Sequence, residues 1–273
     1  MYSEYEKKFT NEFDRILKEA YVDPESEVEY PPVAISKGLT GSNLEFPICI
    51  CTYGNFSFIQ APPKSRKTFL VSLFCTAYLS NNKNFIGNLK GHRENKKLVH
   101  YDTEQGDYHA HRVFNRIYKM TNKSKDYLPF SLREYSSSKR LDFIDWHLQK
   151  RNDIGFVVID GIADLLTDVN DIVESNELVQ NLMRWTKLYN IHIMTIIHSN
   201  YNSVKPTGHL GSFLEKKAET QISVTVDEES NHSIVKCMRS RGQPFDNFSF
   251  KIINGYPYVE ADLADEGEFF INL

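Results

Sequence analysis

A lysine–threonine pair, Lys67-Thr68, stands where a short aromatic and apolar run (56–60) passes through a loop into a long apolar stretch (67–80). Strand, loop and helix in that order suit the binding of phosphate. Backbone N–H groups and the helix N-terminus face the anion, the lysine matches its charge, and the hydroxyl can ligate Mg²⁺. Against the pattern G-x-x-x-x-G-K-[ST], the window Ala61-Pro62-Pro63-Lys64-Ser65-Arg66-Lys67-Thr68 keeps the Lys-Thr pair and lacks both glycines. Glycine at those positions supplies unusual backbone angles and close approach to the phosphate. Pro62 and Pro63 stiffen the loop instead, and Lys64 and Arg66 add positive charge. Residues Ala61 to Thr68, with Phe69 beside them, are the candidate nucleotide contacts.

A phosphate loop of this kind calls for functional groups at the carboxyl ends of neighbouring parallel strands. LVHYDTEQ ends a strand with Asp102 and Glu104. FVVIDG ends in Asp160, an acid just past the sheet edge, placed to hold Mg²⁺ through water. IHIMTIIHSN ends in His198, a polar group placed to sense a γ-phosphate. Singly, each has an ordinary reading, since acids cap helices after strands and lone histidines populate surfaces. Four on consecutive strands form a constellation. Further on, SNYNSVKPTGHLG (199–211) has the composition of a loop, and in CMRSRG the arginines Arg239 and Arg241 are two apart, so on a strand they share a face. An exposed basic strand that discourages edge association is the plain alternative for that pair.

The elements that must position these residues follow from periodicity. Strands are expected over 56–60, 98–102, 129–134, 155–160 and 191–198, and helices over 67–80, 107–120, 139–151 and 175–189. ICICTYGNFSFIQ (48–60) reads as two short strands turning at Gly54-Asn55. Strands alternating with helices imply a mostly parallel sheet covered on both faces, an α/β fold. After residue 218 the period changes, and QISVTVD, HSIVKCM and NFSFKII read as consecutive antiparallel strands. Residues 1–32 read as a helical arm (Tyr5, Phe9, Phe13, Ile16 and Leu17 at helical spacing) with a Pro/Glu-rich linker, and 33–273 as one domain.

Composition bounds the function. The 273 residues carry a formal charge of −4, which excludes a strongly basic whole-chain nucleic-acid binder. Charge is nevertheless uneven. From Lys83 to Arg151 there are 15 Lys/Arg against 8 Asp/Glu, which suits an anionic partner for the middle of the chain or simply solvated helix faces. No apolar run has the length of a membrane span, and the first twenty residues are charged throughout, so a cytoplasmic globular protein is expected. The four cysteines read as reduced and mostly buried.

In order, APPKSRKT, YDTEQ, VVIDG, TIIHSN, GHLGS and MRSRG resemble the RecA-like hexameric ATPases, in particular the branch of the plasmid replicative helicase RepA and the DnaB-type helicases. The KSRKTF loop looks like RecA-like ATPases from mobile elements of the Bacteroides group. The resemblance spans roughly residues 33–260 and implies a RecA-like P-loop NTPase core using ATP and Mg²⁺. By it, Lys67 contacts the β/γ-phosphates, Thr68 ligates Mg²⁺, Asp160 holds the metal's water shell, Glu104 activates the attacking water, and His198 is the sensor. It also implies that Arg239 and Arg241 reach the γ-phosphate of a neighbouring subunit in a homo-oligomer, a hexameric ring. The 199–211 loop, with Asn200, Asn202 and Lys205, then meets single-stranded DNA. The implied function is ATP hydrolysis on single-stranded DNA, in replication or mobilisation of a mobile element. The glycine-free loop leaves two other readings open: a non-hydrolysing nucleotide- or DNA-binding scaffold, and a regulatory ATPase without DNA.

Overall fold

The computed structural model describes residues 2–80, 88–199 and 205–259. The chain divides into two compact units, Met1–Pro31 and Pro32–Leu273. The first contains α1 (Tyr2–Ala20), whose Phe13, Ile16 and Leu17 are exposed. It is followed by a turn in which Ser26 donates to the Asp23 carbonyl.

The second unit runs β1 (Val33–Thr40), β2 (Phe46–Thr52), β3 (Phe56–Ala61), α2 (Lys67–Ser80), β4 (Leu89–Gly91), β5 (Lys97–Asp102), α3 (Asp107–Met120) and β6 (Tyr127–Ser131). It continues through α4 (Ser137–Lys150), β7 (Ile154–Asp160), a 3-10 turn (Ile162–Leu165), α5 (Ile172–Tyr189), β8 (His192–His198) and α6 (Gly208–Lys217). The strands β9 (Thr220–Val226), β10 (Ser233–Ser240), β11 (Phe248–Ile253) and β12 (Tyr256–Val259) follow. Nine strands form one sheet in the order β12-β11-β10-β9-β3-β8-β7-β5-β6. From β9 to β6 every pairing is parallel, and β10, β11 and β12 extend the sheet antiparallel. The α/β class and the antiparallel end are therefore as the sequence pattern implied.

Strand composition explains this order. Every residue of β3 and of β7 is buried, as parallel strands covered on both faces require. Two apolar clusters lie on the two faces. One includes residues of α2 and α3 with Ile59, Phe156 and Met194, and the other includes residues of α4, α5 and α6 with Phe58, Val157 and Ile193. β6 takes the edge, which is where its Pro129 costs no ladder hydrogen bond.

Several expected boundaries move. The strand expected at 129–134 is Tyr127–Ser131, because its register with β5 ends where Asp102 pairs with Ser131. Ser136 then caps α4 by accepting from the Lys139 amide, starting that helix two residues early. Asp171 does the same for α5, accepting from the Glu174 amide. The two strands of 48–60 do not pair with each other. Gly54 (φ +80°) donates to the Ile191 carbonyl and passes the chain from a small sheet, β2-β1-β4, into the large one. β1 and β4, absent from the sequence reading, complete that small sheet, in which Ile35 and Ser36 of β1 face Gly91 and Lys90. Of the four free cysteines, Cys51 and Cys75 are buried and Cys49 and Cys237 are partly exposed.

The small sheet explains why α2 is apolar all round. Eleven of its fourteen residues are buried, since the main sheet takes one side and β1 and β4 pack against it as well. Contact is closest at Gly91, where a Cβ would stand 2.1 Å from the Ala77 carbonyl oxygen and 2.6 Å from Tyr78 Cα. Both are backbone atoms and cannot swing aside. Gly91→Ala is expected to lower stability by about 2–3 kcal/mol or more, read as an earlier midpoint in urea unfolding.

Candidate active site

Strand register assembles the site. Ala61 lies opposite His198 in the β3–β8 pair, and Asp102 lies opposite Asp160 in the β5–β7 pair. The ends of β3, β8, β7 and β5, contiguous in the sheet, thus bring the loop, His198, Asp160 and Asp102–Glu104 to one edge.

The loop makes a tight turn through two left-handed residues, without glycine. Ser65, buried, donates its hydroxyl (2.6 Å) to the Pro62 carbonyl and closes a tight turn. Lys64 (φ +64°) and Arg66 (φ +67°) occupy the left-handed region. Arg66 is the residue in the place of the second glycine, so the backbone keeps a conformation glycine adopts freely, at a cost of about 1–3 kcal/mol for a residue with a Cβ. Ala61, by contrast, remains in β3, and Ser199 N–H donates to its carbonyl. Pro62 is half-buried, and Pro63 and Lys64 are exposed. The Arg66 guanidinium turns away to the β9–β10 turn, donating to the Asn231 carbonyl (2.7 Å) and its side-chain oxygen. Thr68 is half-buried in the first turn of α2, and the Arg116 guanidinium lies 3.8 Å over the Phe69 ring.

Lys67 opens α2 and is buried. Its Nζ is 2.8 Å from His198 Nδ1, and His198 Nε2 is 3.2 Å from Glu104 Oε1. One imidazole thus joins the lysine to the glutamate. Burial lowers the Lys67 pKa, partly opposed by Glu104 and Asp160. The His198 hydrogen bond holds Glu104 below its usual value. Asp160 is the opposite case: burial first, then the charges of Asp102 and Glu104, push it up to about 8. Asp102 is raised to about 6 by burial, even though it accepts from the amides of Glu104 and Gln105.

Three neighbours escaped the sequence reading. Thr103 Oγ1 lies within hydrogen-bond distance of the carbonyls of Asp160 and Gly161 and of Asp164 Oδ2 (3.1 Å), stitching β5 to the β7 end. Gly161 (φ +96°) has no room for a Cβ, which would meet Thr103 Oγ1 at 2.4 Å. Asp164, raised by burial, sits in the 3-10 turn. Gly161 was visible as the glycine after the acid in VVIDG, whereas nothing in the sequence marked Asp164.

The remaining expected residues lie elsewhere. Arg239 lies in β10, which ends at Ser240, and Arg241 follows directly after it. Arg239 pairs with Gln221, itself opposite Phe58, and the Arg241 amide bonds Glu219, which bonds Phe56. Both arginines therefore stand toward the amino end of β3, away from Lys67. Arg241 also donates 2.7 Å to the carbonyl of Lys217, the last residue of α6. Asn200 and Asn202 fall outside the described residues. The expected 199–211 loop is shorter than its composition implied, because α6 begins at Gly208. Gly208 takes φ +72° there, with the Val169 carbonyl close by. Its stem is closed by the Ser199–Pro206 bridge and by two bonds from Thr207 to the His198 carbonyl, and Lys205 is exposed beside it.

A family model described as "AAA domain" matches residues 51–204, more than half of the chain. The chain belongs to the AAA domain family. The match covers the loop, Glu104, Asp160 and His198, and the AAA domain here is a nucleotide-binding ATPase module. No curated protein matches the chain. Among solved structures, a crystal structure titled as that of the RadB recombinase is similar at a TM-score of 0.52 and 15% identity, over 76% of this chain and 90% of that one. At that identity the likeness concerns the fold, which is RecA-like. Among the described residues, no helix is long and apolar enough to cross a membrane.

An AAA domain of this family implies Mg²⁺ with the nucleotide, and the residues fit it. Among the described residues Asp160 Oδ2 is buried without a hydrogen-bond partner, and a cation's bound water would supply one. Among the described residues no cluster of three or more His, Cys, Asp or Glu could hold a metal alone, and the nucleotide's phosphates would complete the shell.

The buried acid gives a pH signature in the nucleotide-free, chelator-treated protein. A carboxylate raised from 3.8 unfolded to about 8 folded contributes stability at low pH and loses it as pH rises toward 8. His100 and His192, lowered by burial to about 3 and about 4, oppose this only below their unfolded value of about 6.5. Between about pH 6.5 and 8, the stability of the native chain relative to Asp160→Asn is therefore expected to fall, by up to about 1.4 kcal/mol per pH unit, in paired denaturant titrations.

Proposed function

We propose that the chain hydrolyses ATP with Mg²⁺ and works as a RecA-like ring ATPase on single-stranded DNA in replication or mobilisation of a mobile element. The observation that supports turnover most directly is the Lys67–His198–Glu104 connection beside the buried, unsatisfied Asp160. The α2 N-terminus and Lys67 take the phosphate charge. Thr68 and Asp160 are the residues that would hold Mg²⁺, which when bound supplies charge neutralisation at the β/γ-phosphates. Arrival of a γ-phosphate draws Lys67 off His198. Glu104, kept anionic by its hydrogen bond, is then the group that orients water and accepts its proton, and His198 registers the change.

The remainder of the reading needs a second copy. Arg239 and Arg241 stand away from their own chain's loop, which accords with service in a neighbour's site within a homo-oligomeric, hexameric ring. The loop closed by the His198 carbonyl, with Asn200, Asn202 and Lys205, is the segment offered to DNA. A cytoplasmic location belongs to the same reading.

Steady-state ATP hydrolysis tests it. Native turnover is expected to rise with single-stranded DNA. Lys67→Ala is expected to abolish it, and Glu104→Gln to cut kcat by about 10²–10⁴-fold while ATP binding changes little. An oligomeric native protein without turnover would remove the motor reading and leave the non-hydrolysing scaffold.

A further inference from the structure

The place of the second glycine is filled by a side chain with partners of its own. Arg66 is left-handed at φ +67°, and its guanidinium is held 165 residues away. Nη1 donates to the Asn231 carbonyl at 2.7 Å and lies 3.4 Å from Ser233 Oγ, and Nη2 donates to Asn231 Oδ1. The receiving turn is itself tightly made. The Asp227 amide donates to the His232 carbonyl, Ser230 Oγ donates to Asp227 Oδ2, and Asn231 is left-handed at φ +56°, presenting both of its oxygens to one guanidinium. Ser233 is fully buried where β10 begins. The guanidinium therefore points to the hairpin.

We propose that Arg66 is a positioning residue. Its fork pins the phosphate loop to the β9–β10 turn and fixes the left-handed backbone that glycine elsewhere adopts unaided, so Asn231 and Ser233 belong to the loop's machinery. This rests on nucleotide binding at Lys67. It adds that the loop is shaped by tertiary contact, and that the hairpin and the loop share one conformational equilibrium.

The test uses the full chain, a fluorescent ATP analogue with Mg²⁺, and amide hydrogen exchange over 62–70 without nucleotide. Arg66→Ala leaves a Cβ in the left-handed region with no pin, and is expected to weaken the analogue about tenfold. Arg66→Gly needs no pin and is expected to bind within about threefold of the native chain. Asn231→Gly with Ser233→Ala keeps the turn's backbone but removes two acceptors. In the native background it is expected to speed loop exchange about tenfold, and in the Arg66→Gly background to add nothing. Arg66→Gly falling as far as Arg66→Ala would mean the guanidinium itself meets phosphate and would overturn the proposal. Loop exchange unchanged in both the Arg66→Ala and the Asn231/Ser233 variants would overturn it too. Lys67→Ala separates the two questions: if neither it nor the native chain binds the analogue, nucleotide binding fails, and exchange alone decides the pin.

Discussion

Register between four parallel strands is the constraint on which the site depends. Ala61 beside His198, and Asp102 beside Asp160, are consequences of how β3, β8, β7 and β5 align. A slip of one residue would turn each terminal side chain to the opposite face, taking His198 from Lys67 and Asp160 from the loop. What prevents the slip is the burial of both faces. Every residue of β3 and β7 is enclosed, so a shifted strand would exchange its contacts with two differently shaped apolar clusters at once.

That enclosure also sets the electrostatics. Asp160 and Asp102 are neighbours in a region with little water, and the same burial that fixes their strands raises both. Lys67, the nearest cation, is partly desolvated too, and its amine leans on His198 instead of the acids. The site therefore holds an unbalanced set of groups, with the His198 imidazole standing between the lysine and Glu104.

The strand ends were legible because each carried a polar residue after an apolar run, a local signal. FVVID and IHIMTII could be little other than central parallel strands, and the Lys-Thr pair located α2 to the residue. Pairing partners were not legible. The strands β1 and β4 pack against α2, contacts that no periodicity records. Asp164 and Asn231 escaped for the same reason, since one approaches through a 3-10 turn and the other across 165 residues. Gly208 read as loop composition, yet its left-handed backbone is the entry to a helix.

The enclosure of α2 between two sheets has a mechanical meaning. A helix held on every side acts as a stiff post, and its fourteen residues cannot tilt without disturbing both layers at once. Strain that begins at its amino end must then relax sideways, into the short loop and the adjoining strand tips. Lys67 and Thr68 form the foot of the post, and His198, Asp160 and Glu104 stand at the strand ends beside it.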